Sequence, residues 1–189
     1  VDTRHPAVAR QAVAAGACIV NDVRPFAGDE AMAAVVRETG AGAVLMHMRG
    51  TPQTMAACAV YDDVVAEVER ALAEALDYAV AQGIARDCLV IDPGLGFAKT
   101  TEQNVAVLRD VARLVRLAPV LAGASRKRFV GELCGEASAG ERLGGSVGAA
   151  VWCALQGVSV LRVHDVKATR QAVTVVGALA KGKVSDWHV

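Results

Sequence analysis

Cys88-Leu89-Val90-Ile91-Asp92 is a short apolar run that stops on a carboxylate, and Pro93-Gly94-Leu95-Gly96 follows it at once. Apolar residues in unbroken succession suit a strand buried on both faces, because neither side of its pleat meets water. The form recurs on either side. Cys18-Ile19-Val20 precedes Asn21-Asp22, and Ala43-Val44-Leu45-Met46 precedes His47-Met48-Arg49. Pro119-Val120-Leu121 precedes Ser125-Arg126-Lys127, the run 158–163 leads to His164-Asp165, and Val1 leads to Asp2. Between these runs the spacing of apolar residues predicts helices over 6–15, 29–39, 61–82, 102–116, 141–156 and 167–181. The clearest is 61–82. Val64, Val68, Leu72, Leu76 and Ala79 form one stripe, Asp62 and Asp63 sit at the positive end of the helix dipole, and Gly83 is a stop.

Alternating strands and helices mean βαβ crossovers and a parallel α/β sheet, either doubly wound or closed as a barrel. The doubly wound form would carry Gly-x-Gly-x-x-Gly directly after a strand. Gly94-Leu95-Gly96 follows a strand but lacks the third glycine, and Gly144-Gly145-Ser146-Val147-Gly148 follows no strand. The small residues of 144–150 are read instead as a helix face that allows close packing. Six successive strand ends deliver polar or charged groups toward one rim, which in a TIM (β/α)8 barrel is where ligands bind. Helix caps and turns account for single residues of this kind, but not for the whole series. A full barrel of about 250 residues uses about 31 per unit, so 189 residues hold about six units. The expectation is a single domain over 1–189 forming an incomplete barrel, with five strands plus the end of a sixth and the first two βα units missing.

Composition narrows the function. With 20 Lys+Arg against 20 Asp+Glu, the net charge of zero leaves no basic footprint for nucleic acid. Hydrophobic residues make up 53% and mean hydropathy is +0.34, which excludes disorder. The apolar run 147–155 is far shorter than the roughly 20 residues that span a bilayer. The five cysteines are odd in number, have no Cys-x-x-Cys, and lie mostly in apolar runs. They are read as reduced and buried, in a cytoplasmic protein. The four histidines are scattered, which argues against a zinc site.

Taken in order, Val1-Asp2-Thr3, Ile19-Val20-Asn21-Asp22-Val23, Leu45-Met46-His47-Met48-Arg49-Gly50-Thr51-Pro52 and Asp92-Pro93-Gly94-Leu95-Gly96-Phe97-Ala98-Lys99-Thr100 form a recognisable series. Gly123-Ala124-Ser125-Arg126-Lys127, Glu141-Arg142-Leu143 and Arg162-Val163-His164-Asp165-Val166 complete it. The ordered set resembles the dihydropteroate synthase family, the pterin-binding barrels of folate synthesis that sulfonamides inhibit. The likeness implies a TIM barrel, a homodimer through carboxyl-terminal helices, and a transferase reaction. In it, 4-aminobenzoate joins (7,8-dihydropterin-6-yl)methyl diphosphate to give 7,8-dihydropteroate and diphosphate. It also implies magnesium, held by an asparagine in a mobile loop of the first two strands, for which this chain has no counterpart. Full activity is therefore not expected of this chain by itself. The alternatives are a pterin-binding barrel of the methyltransferase type and a non-catalytic pterin-binding remnant.

Carried onto this chain, the resemblance suggests a site whose residue types suit the chemistry. Asp92 would accept the paired N–H donors of the pterin's amino-pyrimidine edge, and the Asn21 amide both donates and accepts. Lys127 would reach the pterin carbonyl and stand near the incoming amine, while Met46 and Phe97 line the flat ring. Arg162 and His164, two positions apart, would point the same way, bracket Val163 and bind the diphosphate. Asp2 would stabilise positive charge developing at the methylene carbon. Ser125 and the helix start that follows would receive the aminobenzoate carboxylate, and Gly123 is a further expected substrate-binding residue. The expected catalytic residues are Lys127, Arg162, His164 and Asp2. His47 and Arg49 remain open between loop shaping and binding.

Overall fold

The apolar runs pair as parallel strands in the order in which the chain makes them. The computed structural model describes residues 1–23, 30–51 and 53–181. It runs α1 (Pro6–Ala14), β1 (Ile19–Asp22), α2 (Glu30–Thr39), β2 (Gly42–Met46), α3 (Val64–Ala81), β3 (Leu89–Asp92) and α4 (Thr101–Arg109). Then follow α5 (Ala112–Val115), β4 (Leu121–Ala122), α6 (Arg128–Cys134), α7 (Leu143–Leu155), β5 (Val160–Leu161) and α8 (Val166–Lys181). Strands β1, β2 and β3 form one parallel ladder, and β4 pairs in parallel with β5. Single parallel bridges, Asp2 to Asn21 and Ile91 to Val120, join the first residues and β4 to that ladder. The result is an arc of neighbours in chain order with no reversal. A doubly wound sheet would show a reversal at its switch point. The arc is part of a barrel wall and is not closed.

Local chemistry sets the helix ends. Asp63 caps α3, its Oδ1 accepting hydrogen bonds from the Val65 and Ala66 N–H groups at 3.0 Å each. Gly83 stops it at φ +85°. Thr100 and Gln103 form a capping box at the start of α4. The stripe Val64, Val68, Leu72, Leu76 and Ala79 is buried, and packs with Leu45, Leu89 and Ile91 into one core.

Several expectations change. The helix foreseen over 102–116 breaks at Asp110, whose carbonyl accepts the Arg113 N–H in a tighter i+3 turn. The helix start that the resemblance implies after Ser125 is α6, which periodicity does not show because seven residues are too few. The strands expected at 119–121 and 158–163 are the two-residue elements β4 and β5. Burial on both faces fails at the ends of the arc, where Ile19 is 50% and Val160 42% exposed. These side chains stand where a closed barrel would bring further strands. The position 29 expected in α2 lies outside the described residues.

The cysteines also differ from expectation. Cys18 and Cys134 are exposed, Cys58 and Cys88 half-buried, and only Cys153 is buried. An apolar neighbourhood in sequence does not prevent an edge position in space. All five are free thiols. Among the glycines of 144–150, Gly145 bears out close packing, since a Cβ there would lie 2.7 Å from Val130 Cγ1 on α6. Gly144 and Gly148 face open space.

Leu76→Ala should cost about 2–5 kcal/mol, because this fully buried side chain of α3 leaves a cavity that the sheet beneath cannot fill. Urea unfolding of the two proteins measures the difference.

Candidate active site

The loops that leave β1, β3, β4 and β5 converge on a cavity of about 370 Å³. Its wall consists of Asn21, Val23, Met46, Asp92, Phe97, Gly123, Ser125, Lys127, Arg162, Val163 and His164. Residues 21 and 164 are thus brought to one mouth because every strand of a parallel arc ends on the same side. Asp2 is not in the wall but stands behind it: its Oδ2 accepts hydrogen bonds from Asn21 Nδ2 at 3.1 Å and Arg162 Nη2 at 3.0 Å. That contact orients the Asn21 amide. Its Oδ1 is left buried with no hydrogen-bond partner among the described residues, an acceptor open to a donor.

Asp92 closes β3 and is 9% exposed. Its Oδ1 accepts the Gly94 N–H at 2.7 Å. Burial raises its proton affinity above the ordinary carboxylate value. The Gly94 N–H and the positive charges of Lys127, Lys99 and Arg162 oppose that rise. Gly94 must be glycine here: it sits at φ +65°, and a Cβ would lie 1.9 Å from the His47 carbonyl oxygen. The Lys127 ammonium donates to the Leu95 carbonyl and lies 4.7 Å from the Phe97 ring centroid. Burial, with Arg162 nearby, brings Lys127 down to about 8 against the opposing pull of Asp92.

The loop after β4 carries its residues in a held conformation. Arg126 has φ +58°, a left-handed geometry that is unfavourable for a long side chain. Its N–H donates to Ser146 Oγ at 2.9 Å, and its carbonyl accepts from Arg142 Nη1 at 2.9 Å. Its guanidinium forks onto Asp165, with Nε to Oδ2 at 3.0 Å and Nη2 to Oδ1 at 2.7 Å. The fork ties the loop after β4 to the loop after β5. Beside it, Ser125 Oγ accepts the His164 N–H at 3.2 Å and lies 3.0 Å from His164 Nδ1. Ser125 therefore lines the cavity with its hydroxyl already engaged.

Two groups open at the level of sequence are resolved. Arg49 donates to the Val60 carbonyl and to Glu67 at 2.5 Å each and lies 4.0 Å from the Tyr61 ring centroid, so it shapes its loop. His47 is 5% exposed and outside the cavity wall. Its partner Lys99 was missed as a functional candidate. The available signal was a lysine inside a glycine-rich loop, between an aromatic residue and a helix cap. Arg126, Arg142 and Asp165 were quoted within motifs without their link, which no spacing reveals.

Comparison with known proteins agrees with this geometry. The model of the family described as "Pterin binding enzyme" matches residues 1–164. The chain belongs to this pterin-binding family. Dihydropteroate synthase of Escherichia coli strain K12 is 42% identical over 184 residues, covering 97% of this chain and 64% of that protein. Among solved structures, dihydropteroate synthase from Thermus thermophilus in complex with 4-aminobenzoate superposes with a TM-score of 0.91 at 46% identity. That match covers 95% of this chain and 69% of the other. The Xanthomonas albilineans enzyme in complex with 7,8-dihydropteroate gives a TM-score of 0.88 at 46% identity, over 95% of this chain and 66% of the other. The chain thus spans just under two thirds of the E. coli relative's length. No helix among the described residues is long and apolar enough to cross a membrane.

The Arg126 partner holds the Asp165 carboxyl below its ordinary value. The pair therefore contributes stability above the unfolded carboxyl value of about 4 and loses it as pH falls through the lowered folded value. Asp165→Asn should be less stable than the parent at pH 7, with the gap closing on acidification, as measured by urea unfolding at stepped pH.

Proposed function

We propose that the cavity binds the pterin of (7,8-dihydropterin-6-yl)methyl diphosphate, and that in a complete barrel it joins this substrate to 4-aminobenzoate. The observation that carries the reading is the polarity of one cavity wall: a buried carboxylate, Asp92, a half-buried cation, Lys127, and an exposed cation, Arg162. A flat, donor-edged heterocycle with an anionic tail has the complementary polarity. About 370 Å³ falls within the range of small-molecule sites. The complexes of the T. thermophilus relative with 4-aminobenzoate and of the X. albilineans relative with 7,8-dihydropteroate support the same substrate and product.

In this mechanism Asp92 accepts the amino-pyrimidine N–H pair, and the open Asn21 Oδ1 accepts a further ring N–H. Lys127 donates to the pterin carbonyl, and Met46 and Phe97 enclose the ring. Arg162 and His164 bind the diphosphate, whose negative charge grows as the carbon–oxygen bond breaks. Their contacts therefore strengthen toward the transition state. The methylene carbon becomes cationic before the aromatic amine attacks. The carbon–nitrogen bond forms, and the amine proton passes to solvent or to the departing diphosphate. Asp2 moderates the developing charge from behind Arg162. Ser125, buttressed by His164, lies on the side that receives the aminobenzoate.

The resemblance also implies magnesium. Among the described residues no three His, Cys, Asp or Glu groups cluster to hold a metal. The buried carboxylate of the cavity faces cationic side chains. These residues do not fit a divalent cation, and no step here is routed through one.

Self-association is part of the same reading. Between α4, α6 and α7 runs an apolar groove of about 350 Å³ lined by Val105, Leu108, Leu133, Ala149 and Trp152. Leu133 is 61% exposed, and Leu155 nearby on α7 is 50% exposed. Such a face suits a second copy of the chain. Leu133→Glu should shift sedimentation from dimer toward monomer without altering the circular dichroism spectrum.

The function is tested by calorimetry with pterin and by aminobenzoate-dependent diphosphate release. The chain is expected to bind pterin weakly and not to turn over, because an open barrel does not preorganise its rim. Supplying the rest of the barrel from the E. coli relative should restore release. Asp92→Asn should weaken pterin binding at least about tenfold, as for a charge-assisted hydrogen bond. Methyl transfer without diphosphate release from the completed barrel would overturn the reading.

A further inference from the structure

Lys99 is a half-buried cation that the substitution chemistry above does not use. Its Nζ lies 3.0 Å from His47 Nδ1 and donates to the Gly94 and Phe97 carbonyls at 3.1 Å each. Three acceptors around one nitrogen match the three donors of an ammonium. The loop it grips is unusual in its backbone. Gly94, Gly96 and Ala98 all have positive φ, at +65°, +77° and +47°, and the Gly94 carbonyl also accepts the Phe97 N–H at 3.1 Å. Asn104, 1% exposed, takes the Gly96 N–H at 2.7 Å, and Tyr61 donates to the Ala98 carbonyl at 2.9 Å. Two cations reach this scaffold, Lys127 at the Leu95 carbonyl and Lys99 at the Gly94 and Phe97 carbonyls. It stands close enough to Asp92 for each to alter the other's proton affinity.

We propose that Lys99 is a positioning residue for the pterin cavity: seated on His47 Nδ1 and on the Gly94 and Phe97 carbonyls, it fixes the loop carrying Phe97 and supplies one of the positive charges that act on Asp92. This rests on the pterin-binding reading and deepens it, because Asp92 accepts the heterocycle's N–H pair best as a carboxylate. The surroundings agree. Burial, with Lys99 and Arg49 alongside, pulls His47 down to about 3, so the imidazole is neutral and its Nδ1 is free to accept, with Glu67 opposing. Burial, with Lys127 and Arg49, brings Lys99 itself down to about 7 against the pull of Asp92. The charges facing Asp92 are Lys127 after β4, Lys99 after β3 and Arg162 after β5. Removing Lys99 takes away one of three.

The sign of the effect follows. Without Lys99, Asp92 holds its proton to higher pH. The loss of pterin affinity is then largest on the acid side and narrows as pH rises. Above about 7 the parent also loses its Lys99 charge, which narrows the gap further. A packing defect alone would lower affinity by the same factor at every pH.

The first measurement needs no ligand: carbon NMR of the Asp92 carboxyl across pH in the chain itself, Lys99→Met and Lys99→Arg. The midpoint should rise by about one pH unit in Lys99→Met and return toward the parent in Lys99→Arg. Equal midpoints in all three overturn the proposal. Nitrogen NMR of the unsubstituted chain should show His47 neutral, with Nδ1 unprotonated, down to about pH 4. A His47 titrating near its ordinary value of about 6.5 overturns it as well, even where the variants do not fold. Calorimetry with pterin at stepped pH across the Asp92 midpoint should show Lys99→Met losing up to about tenfold affinity on its acid side and less on the other. A pH-independent loss overturns the charge role. If the parent chain takes up no pterin, the proposed function fails for this chain, while the Asp92 titration still decides the role of Lys99.

Discussion

A carboxylate at the end of a buried strand is costly unless opposite charge and hydrogen-bond donors come to it. Asp92 is such a group, and much of the rim is organised around it. The Gly94 N–H reaches it from its own loop, Lys99 approaches from further along that loop, Lys127 from the loop after β4 and Arg162 from the loop after β5. Lys99 and Lys127 are themselves costly to bury and are eased by Asp92 in turn. The arrangement is mutual: the carboxylate needs the converging loops, and the lysines lose less by burial because the carboxylate is there.

That convergence depends on parallel strands. In a parallel arc every strand ends on the same side, so side chains far apart in sequence share one mouth without any special loop design. The Asp2–Arg162 pair links the first residues of the chain to the loop after β5 across the rim. Both side chains are well exposed, so its direct contribution to stability is small. Its consequence is orientation: Asp2 directs Asn21 Nδ2 away from the cavity's open acceptor, and it holds one edge of the Arg162 guanidinium. Precision in the site comes from buttresses behind it, such as the Arg126–Asp165 fork and the Arg142 contacts with the Arg126 carbonyl.

Much of this was legible in the residues. Unbroken apolar runs ending on polar groups identify buried parallel strands and their functional end, because burial on both faces leaves no room for alternation. The stripe of α3 identifies its core face, since five apolar residues at i+3 and i+4 leave one solution. The family motifs then name ten of the eleven residues of the cavity wall; Val23, quoted in a motif but given no role, is the exception. What escaped has equally definite causes. The short helix α6 is below the length at which periodicity shows, so only the family likeness pointed to its start, and the exposed cysteines at 18 and 134 depend on where the arc ends and how helices stack. Lys99 escaped because its role lies in three acceptors, of which His47 is 52 residues away.

The sequence by itself therefore determined the strand–helix alternation, the buried face of the longest helix, the rim that carries the polar groups, and the family. These follow from local patterns of apolar and polar residues, which act over a few positions. Tertiary structure alone decided that Ser125 is already engaged by His164, that Asp2 stands behind Asn21 and Arg162, and that Lys99 faces His47 rather than solvent. Those facts are distances between residues on different loops. They are set by how the parallel strands twist and pack, and no local pattern encodes them.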